Sequence, residues 1–275
     1  PVLDRDQLEV GTWTPGPCVV LDQTGTVVVE SDFRVQRRSD GVLHMKGQGD
    51  AEVAHLHERE LHTPDPVRLE IMSHRFMSIA EQMGSVLKNT ALSTNIRERL
   101  DFSCAVFDGV GRLVANAPHI PVHLGAMGET VAAVLKAHPE PADDQVFVCN
   151  DPFAGGSHLP DVTMVTGVSI DGERFFLASR GHHSDIGGIT PGSMPPFSEH
   201  LDEEGVVFRN ELAVDGGQFL HEALRARLTE APHPARDPDQ NLADFEAQIA
   251  ANNTGVRLLR ELAHNLSAAG VRAYM

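Results

Sequence analysis

No run in the sequence approaches the roughly 18 consecutive apolar residues that a membrane-crossing helix needs. Cysteine is scarce: Cys18, Cys104 and Cys149 are odd in number, widely spaced and free of any C-x-x-C pair, which argues against a disulfide framework or a zinc ribbon. Basic charge is also short. With 22 Lys and Arg against 39 Asp and Glu the net charge is −17, which disfavours nucleic acid and a polybasic membrane anchor as partners. The opening PVLDRDQLEV lacks a charged segment followed by an apolar stretch, so no signal peptide is expected. Together with the cysteine usage this points to a reducing, cytoplasmic setting. No G-x-x-x-x-G-K-[ST] phosphate loop occurs, so the chain is not expected to hydrolyse ATP by itself.

What the sequence does hold is apolar residues enough for a sizeable core, 41% of 275, and fifteen histidines. The length suits one large domain or two smaller ones. Histidine is the commonest metal ligand and general base, so its placement matters. His55, His57 and His62 fall in a polar stretch, and His221, His233 and His264 have no partner motif. His119, His123, His158, His182 and His183 are the informative ones, the first two flanking Pro121 and the last three in Gly-containing loops with Asp close by.

Residues 1–62 read as a separate small sheet, with PCVVL, TGTVVVE and FRVQR as short strands broken by turn residues. Residues 46–66 read as a linker or short exposed helix. Asp65 and Pro66 then signal the start of a helix whose apolar stripe runs Ile71, Met72, Phe76, Ile79, Met83, Val86, Leu87. DFSCAVFDGVGRLVANA predicts a hairpin, MGETVAAVLKAHPE a second helix, and DQVFVCND a buried strand. VTMVTGVSIDGERFFLASRG predicts another hairpin turning at Asp171-Gly172, and Leu242–Leu266 a final helix. The expected fold is therefore α/β or α+β: a mixed sheet with antiparallel hairpins and long packing helices, preceded by a small β-rich segment, with domains at 1–62 and 63–275.

Two loops carry the chemistry, NDPFAGGSHLPDVTMV at 150–165 and RGHHSDIGGITPGS at 180–193. The first leads into the first strand of the Asp171-Gly172 hairpin and the second leaves its partner strand. In an antiparallel pair the start of one strand lies beside the end of the next. His158 and Asp161 should therefore meet His182 or His183. Two imidazoles and a carboxylate suit a divalent metal such as Zn, Mn or Fe with positions left open, the catalytic rather than the structural pattern. Adjacent residues of an extended chain point to opposite sides, so at most one of His182 and His183 is a ligand. Gly155, Gly156, Gly187 and Gly188 would let backbone amides approach a substrate anion, and Arg97, Arg99 and Arg180 would pair with its carboxylate or phosphate. Asp151, His123 and His182 are the candidate catalytic base or supporting groups, with His119 on the same loop as His123.

LSTNIRERLDFSCAVFDGVGRLVANAPHIPVHLGAM, the two loops above and DFEAQIAANNTG together resemble the hydantoinase B family, over about residues 64–275. PGPCVVLDQTGTVVVESDFRV is similar to the last β-rich segment of the hydantoinase A module. An A end fused ahead of a B start resembles single-chain 5-oxoprolinases. The resemblance implies ATP-dependent ring opening of 5-oxoproline to glutamate. ATP and Mg would be held by a hydantoinase A-like module that phosphorylates the substrate. N-methylhydantoinase or acetone-carboxylase chemistry, or a non-catalytic assembly piece, are the alternatives. It further implies a metal on His158, Asp161 and one histidine of the GHH pair, the spacing favouring His183, and a homo-oligomeric assembly. The chain is expected to be a fragment of a longer protein.

Overall fold

The structure is a computed structural model that describes residues 1–22, 25–31, 33–47, 66–117 and 121–275. The chain divides into two compact units, Pro1–His57 and Glu58–Met275. The expected linker or helix over 46–66, its histidines and the Asp65 cap fall almost wholly outside the described residues.

In the first unit the three expected strands are present as β3 (Cys18–Asp22), β4 (Gly25–Val29) and β5 (Phe33–Arg37). They belong to two sheets rather than one. β1 (Val2–Asp4) runs parallel to β3, which pairs with β4, while β2 (Trp13–Pro15) and β6 (Leu43–Gly47) flank β5. The added strands are short and largely exposed, so they carry little of the alternation by which a half-buried strand is read from sequence. Leu8, Cys18, Val20, Val29 and Val35 form the small core.

The second unit is built on a seven-stranded sheet ordered β13-β12-β9-β10-β11-β7-β8. Its strands are β7 (Phe102–Phe107), β8 (Leu113–Asn116), β9 (Val146–Cys149), β10 (Asp161–Ile170), β11 (Glu173–His182), β12 (Glu211–Asp215) and β13 (Gln218–Phe219). Every pairing in it is antiparallel. The hairpin β10–β11 is its centre and turns at Asp171 and Gly172, whose φ of 48° and 85° suit the tight turn that matches strand twist.

One face of the sheet is covered by α3 (Pro121–Ala137), whose Met127, Val131 and Val134 pack on Ala105, Phe107, Phe147, Val165, Phe176 and Ala178. This helix begins six residues before the expected MGET start, with Pro121 at its first position, so His123 is helical rather than in a loop. The other face carries α1 (Pro66–Thr90) and α5 (Pro238–Leu266). In the stripe of α1, Met72, Phe76, Ile79, Met83 and Leu87 are buried, Val86 is half-buried and Ile71 is exposed. Between them, α2 (Thr94–Arg97) and α4 (His221–Thr229) are short, and α6 (Ala268–Ala273) follows α5.

α5 starts at Pro238, a turn before the expected Leu242, because Asp237 caps it by accepting from the Gln240 amide. At Gly255 α5 comes closest to its neighbours: a Cβ there would lie under 3.0 Å from Leu177 of β11 and Met83 of α1. Its buried side carries the polar Asn241, Asp244, Gln248 and Asn252 among apolar residues such as Leu242, Phe245 and Leu259. Gln248 donates to the Val162 and Ser179 carbonyls and Asn252 to the Met164 carbonyl, tying the helix to both strands of the hairpin.

Candidate metal centre

Asp161 opens β10, His182 closes β11, and the two are direct cross-strand partners. Their side chains therefore share one face of the sheet, the face under α3. His123 of α3 and His158 of the preceding loop reach the same point. Asp161 Oδ1 accepts from His182 Nδ1 at 2.9 Å, and Oδ2 lies 2.8 Å from His158 Nδ1 and 3.4 Å from His123 Nε2. Asp101, directly before β7, adds a second carboxylate, 3.9 Å from both His123 Nε2 and His182 Nδ1. His123 Nδ1 meets the buried Ser103 hydroxyl at 3.1 Å.

Asp161 is fully buried, while the His158 and Asp101 side chains are the most open, 30% and 31% exposed. Burial pushes the Asp161 carboxyl up, but the close imidazoles of His123, His158 and His182 together hold it far below the usual carboxylate range. The Asp161 carboxylate, 2.8 Å away, raises His158 above the ordinary imidazole value against the opposing effect of burial. Despite the crowding, Asp161 Oδ2 accepts no hydrogen bond of good geometry. One ligand atom each from His158, Asp161 and His182 fall within 4.8 Å of one another, which fits a single divalent ion after small rotations. The donor set, two imidazoles and a carboxylate, suits Zn, Mn or Fe.

His183 takes the other side of the strand. Sheet alternation turns it toward α5, where it is fully buried beside Phe245. Its Nε2 pairs with Gln248 Oε1 at 3.2 Å and its Nδ1 with Asn241 Nδ2 at 3.1 Å. Since Nδ2 can only donate, Nδ1 is the acceptor and Nε2 carries the proton of a neutral ring. Burial, the largest influence, lowers its pKa accordingly. The expectation that His183 joins His158 and Asp161 is thus corrected: the neighbour, His182, stands there.

Other expected site residues have structural partners. Asp151 caps the short 3-10 turn Pro152–Ala154 through the Phe153 amide and pairs with Arg209 Nε at 3.1 Å, so each of its oxygens already has a protein partner. Arg180 is fully buried, and its bonds run to Thr163, Ser157, Thr130 and the Gly155 carbonyl. The amides of Gly156, Gly187 and Gly188 are already donated to Asp151 O, Asp185 Oδ1 and His233 O. Gly155, at φ 83°, lets the loop lie against the α3 backbone at Glu129 and Thr130. Arg97 and Arg99 are exposed, and His119 lies outside the described residues.

Asp101, Ser103 and Asn150 are residues the motifs alone did not single out. Asn150 is buried, donates to the Leu159 and Val206 carbonyls and accepts from the Phe208 amide, so it pins the residue between His158 and Asp161. Asp101 and Ser103 become visible only once β7 is known to pair with β11, a neighbour far away in sequence.

Residues 65–275 match the Hydantoinase B/oxoprolinase family. The whole chain is similar to 5-oxoprolinase 1 of Arabidopsis thaliana, at 44% identity, covering 22% of that protein. Over 94% of its length it is 45% identical to 5-oxoprolinase of Dictyostelium discoideum, covering 20% of it. The chain thus spans about a fifth of the curated relatives it matches. The fold is similar to the ATP-dependent caprolactamase of Pseudomonas jessenii, with a TM-score of 0.67 and 27% identity over 77% of this chain and 36% of that one. No described helix is long and apolar enough to cross a membrane. The match over most of the second unit, and the similarity of the whole chain to 5-oxoprolinases, place this chain in the hydantoinase B/oxoprolinase family.

Proposed function

We propose that this chain supplies the hydrolytic centre of an ATP-dependent cyclic-amide hydrolase that opens 5-oxoproline to glutamate. The observation that carries the reading is the fully buried Asp161 carboxylate, ringed by three imidazoles yet with Oδ2 left without an accepted hydrogen bond. Identity of 44–45% to 5-oxoprolinases favours the five-membered lactam over the caprolactam of the more distant structural relative.

His158, Asp161 and His182 would hold one divalent ion, Zn, Mn or Fe, with Asp101 facing the same point. Such an ion, when bound, supplies Lewis acidity and lowers the pKa of water. A lactam carbonyl is a poor electrophile until a phosphoryl group makes its oxygen a leaving group. That activation, with ATP and Mg, belongs to a hydantoinase A-like partner module. His123 is walled in, and Ser103 fixes its Nδ1, so Nε2 is presented between the two carboxylates as the atom that holds or passes a proton. Asp161 stays ionised throughout. Asn150 and Asp151 hold the loop that delivers His158. We place the assembled enzyme in the cytoplasm as a homo-oligomer.

The test is an assay of the full-length protein with ATP against 5-oxoproline, hydantoin, caprolactam and acetone, beside metal analysis. Turnover of 5-oxoproline that is lost in His158→Ala and Asp161→Asn, along with stoichiometric metal, is expected. Full turnover in both variants would overturn the assignment.

A further inference from the structure

Arg180 is among the largest fully buried side chains of the protein, and it is a cation. The acceptors it meets are uncharged oxygens. Nε donates to Thr163 Oγ1 at 2.7 Å and Nη1 to Ser157 Oγ at 3.3 Å, while Nη2 donates to Thr130 Oγ1 at 2.7 Å and to the Gly155 carbonyl at 2.8 Å. Burying a charge among neutral partners is expensive, and a well-packed apolar side chain would fill the space at less cost. Burial accordingly lowers the Arg180 pKa, with Asp161 the leading opposing charge.

Where the acceptors lie explains the expense. Thr163 is two residues beyond Asp161 on β10. Ser157 precedes His158. Thr130 sits two turns after His123 on the same face of α3. Arg180 itself is two residues before His182 on β11, on the same side of the sheet. A flat fork with donors in fixed directions can hold several segments in one relative arrangement, which neither an apolar side chain nor a single ammonium can do.

We infer that Arg180 is the positioning residue of the His/Asp cluster, its guanidinium locking the His158 loop, β10 and α3 onto β11 so that the four side chains meet. Its hydrogen bonds go to none of His123, His158, Asp161 and His182. One of the two readouts that test this rests on the metal reading above, and the other does not.

The variants are Arg180→Met, Arg180→Lys and, as a control, Arg174→Met, all in the full chain. Arg174 lies six residues away on β11 and is bonded to Asp143, Ser169 and the Pro141 carbonyl, remote from the cluster. The first readout is affinity for Zn2+ and Mn2+ by chelator competition, with the visible spectrum of bound Co2+ reporting geometry. The second is amide hydrogen exchange over residues 152–160 without metal. Arg180→Met and Arg180→Lys should weaken metal binding by about ten- to a hundredfold, alter the Co2+ bands and speed exchange in that loop alone. Arg174→Met should lower the melting temperature and leave both readouts unchanged.

Wild-type affinity and loop exchange in Arg180→Met, or equal metal loss in Arg174→Met, would overturn the inference. Should the wild-type chain bind none of these metals, the metal reading fails and exchange alone decides on Arg180. If Arg180→Met does not fold, Thr130→Val and Ser157→Ala each remove one tie and decide in its place, a several-fold weakening or local exchange upholding the inference and no change refuting it.

Discussion

Replacing His182 and His183 one at a time separates two neighbours of identical chemistry. His183→Ala removes a ring with no solvent exposure and leaves Gln248 Oε1 without its partner. An unsatisfied buried acceptor costs about 1–3 kcal/mol, and a large-to-small cavity in a core about 2–5 kcal/mol. Allowing for overlap, roughly 3–5 kcal/mol is lost, which in a unit of this size lowers the melting temperature by about 6–20 °C. The face that holds Asp161 is untouched, so metal affinity at temperatures well below the transition should stay within about threefold of the wild type. His182→Ala does the reverse. It removes one of two imidazole ligands and one of the bonds to the Asp161 carboxylate, a loss of about 1.5–3 kcal/mol in stability. Metal affinity should fall by a hundredfold or more. Thermal unfolding of the metal-free proteins and chelator competition on the folded ones measure the two quantities independently. Metal loss in His183→Ala with retention in His182→Ala would refute the sheet-parity reasoning on which the site is built.

Proton competition sets a second expectation. His158 has its folded pKa raised, so its protonated form stabilises the metal-free fold fully below the unfolded value of about 6.5, and this is lost as pH rises through the raised value. Metal binding requires the neutral ring, so affinity should fall as pH drops through that raised value, measurable by chelator competition across the range. Asp161 works in the opposite sense: its stabilisation is present above the ordinary carboxylate value of about 3.9 and is lost as pH falls toward its depressed one, as acid unfolding would record. Asn150→Ala should cost about 2–4 kcal/mol by stranding the Leu159 and Val206 carbonyls and the Phe208 amide, and should also weaken metal binding because Leu159 lies between two ligands. Gly255→Ala should destabilise by about 1–3 kcal/mol, since its Cβ would overlap Leu177 and Met83, with metal affinity unchanged.

Much of this was legible from residue patterns because it depends on local rules. The Asp171-Gly172 turn and the alternating strands on either side predict the hairpin, and the hairpin predicts that His158 and Asp161 meet the GHH pair. The choice within that pair was not legible, since it depends on where β11 ends its pairing with β10: Asp161 lies opposite position 182, and only that register tells which histidine faces α3. The roles of Arg180 and Asp151 were hidden for a related reason. A charged residue in a polar loop looks like a ligand contact until its partners are known, and Thr130, Thr163 and Arg209 come from three separate elements. Asp244, Gln248 and Asn252 lay within a recognisable motif and Asn241 just before it, but polar residues along a long helix give no sign that they face a buried sheet.

The hairpin that carries the site also insulates it from its own tip. Ten residues at about 3.3 Å each put the Asp171-Gly172 turn some 30 Å from Asp161. Residues added at that tip would lengthen the loop and leave every rung below in place. A single residue inserted in β11 between the tip and the site would instead turn His182 to the α5 side, and one inserted in β10 would do the same to Asp161. The same sequence then tolerates a tag, a dye or a fused domain at one end of the hairpin and not one extra amino acid along its length.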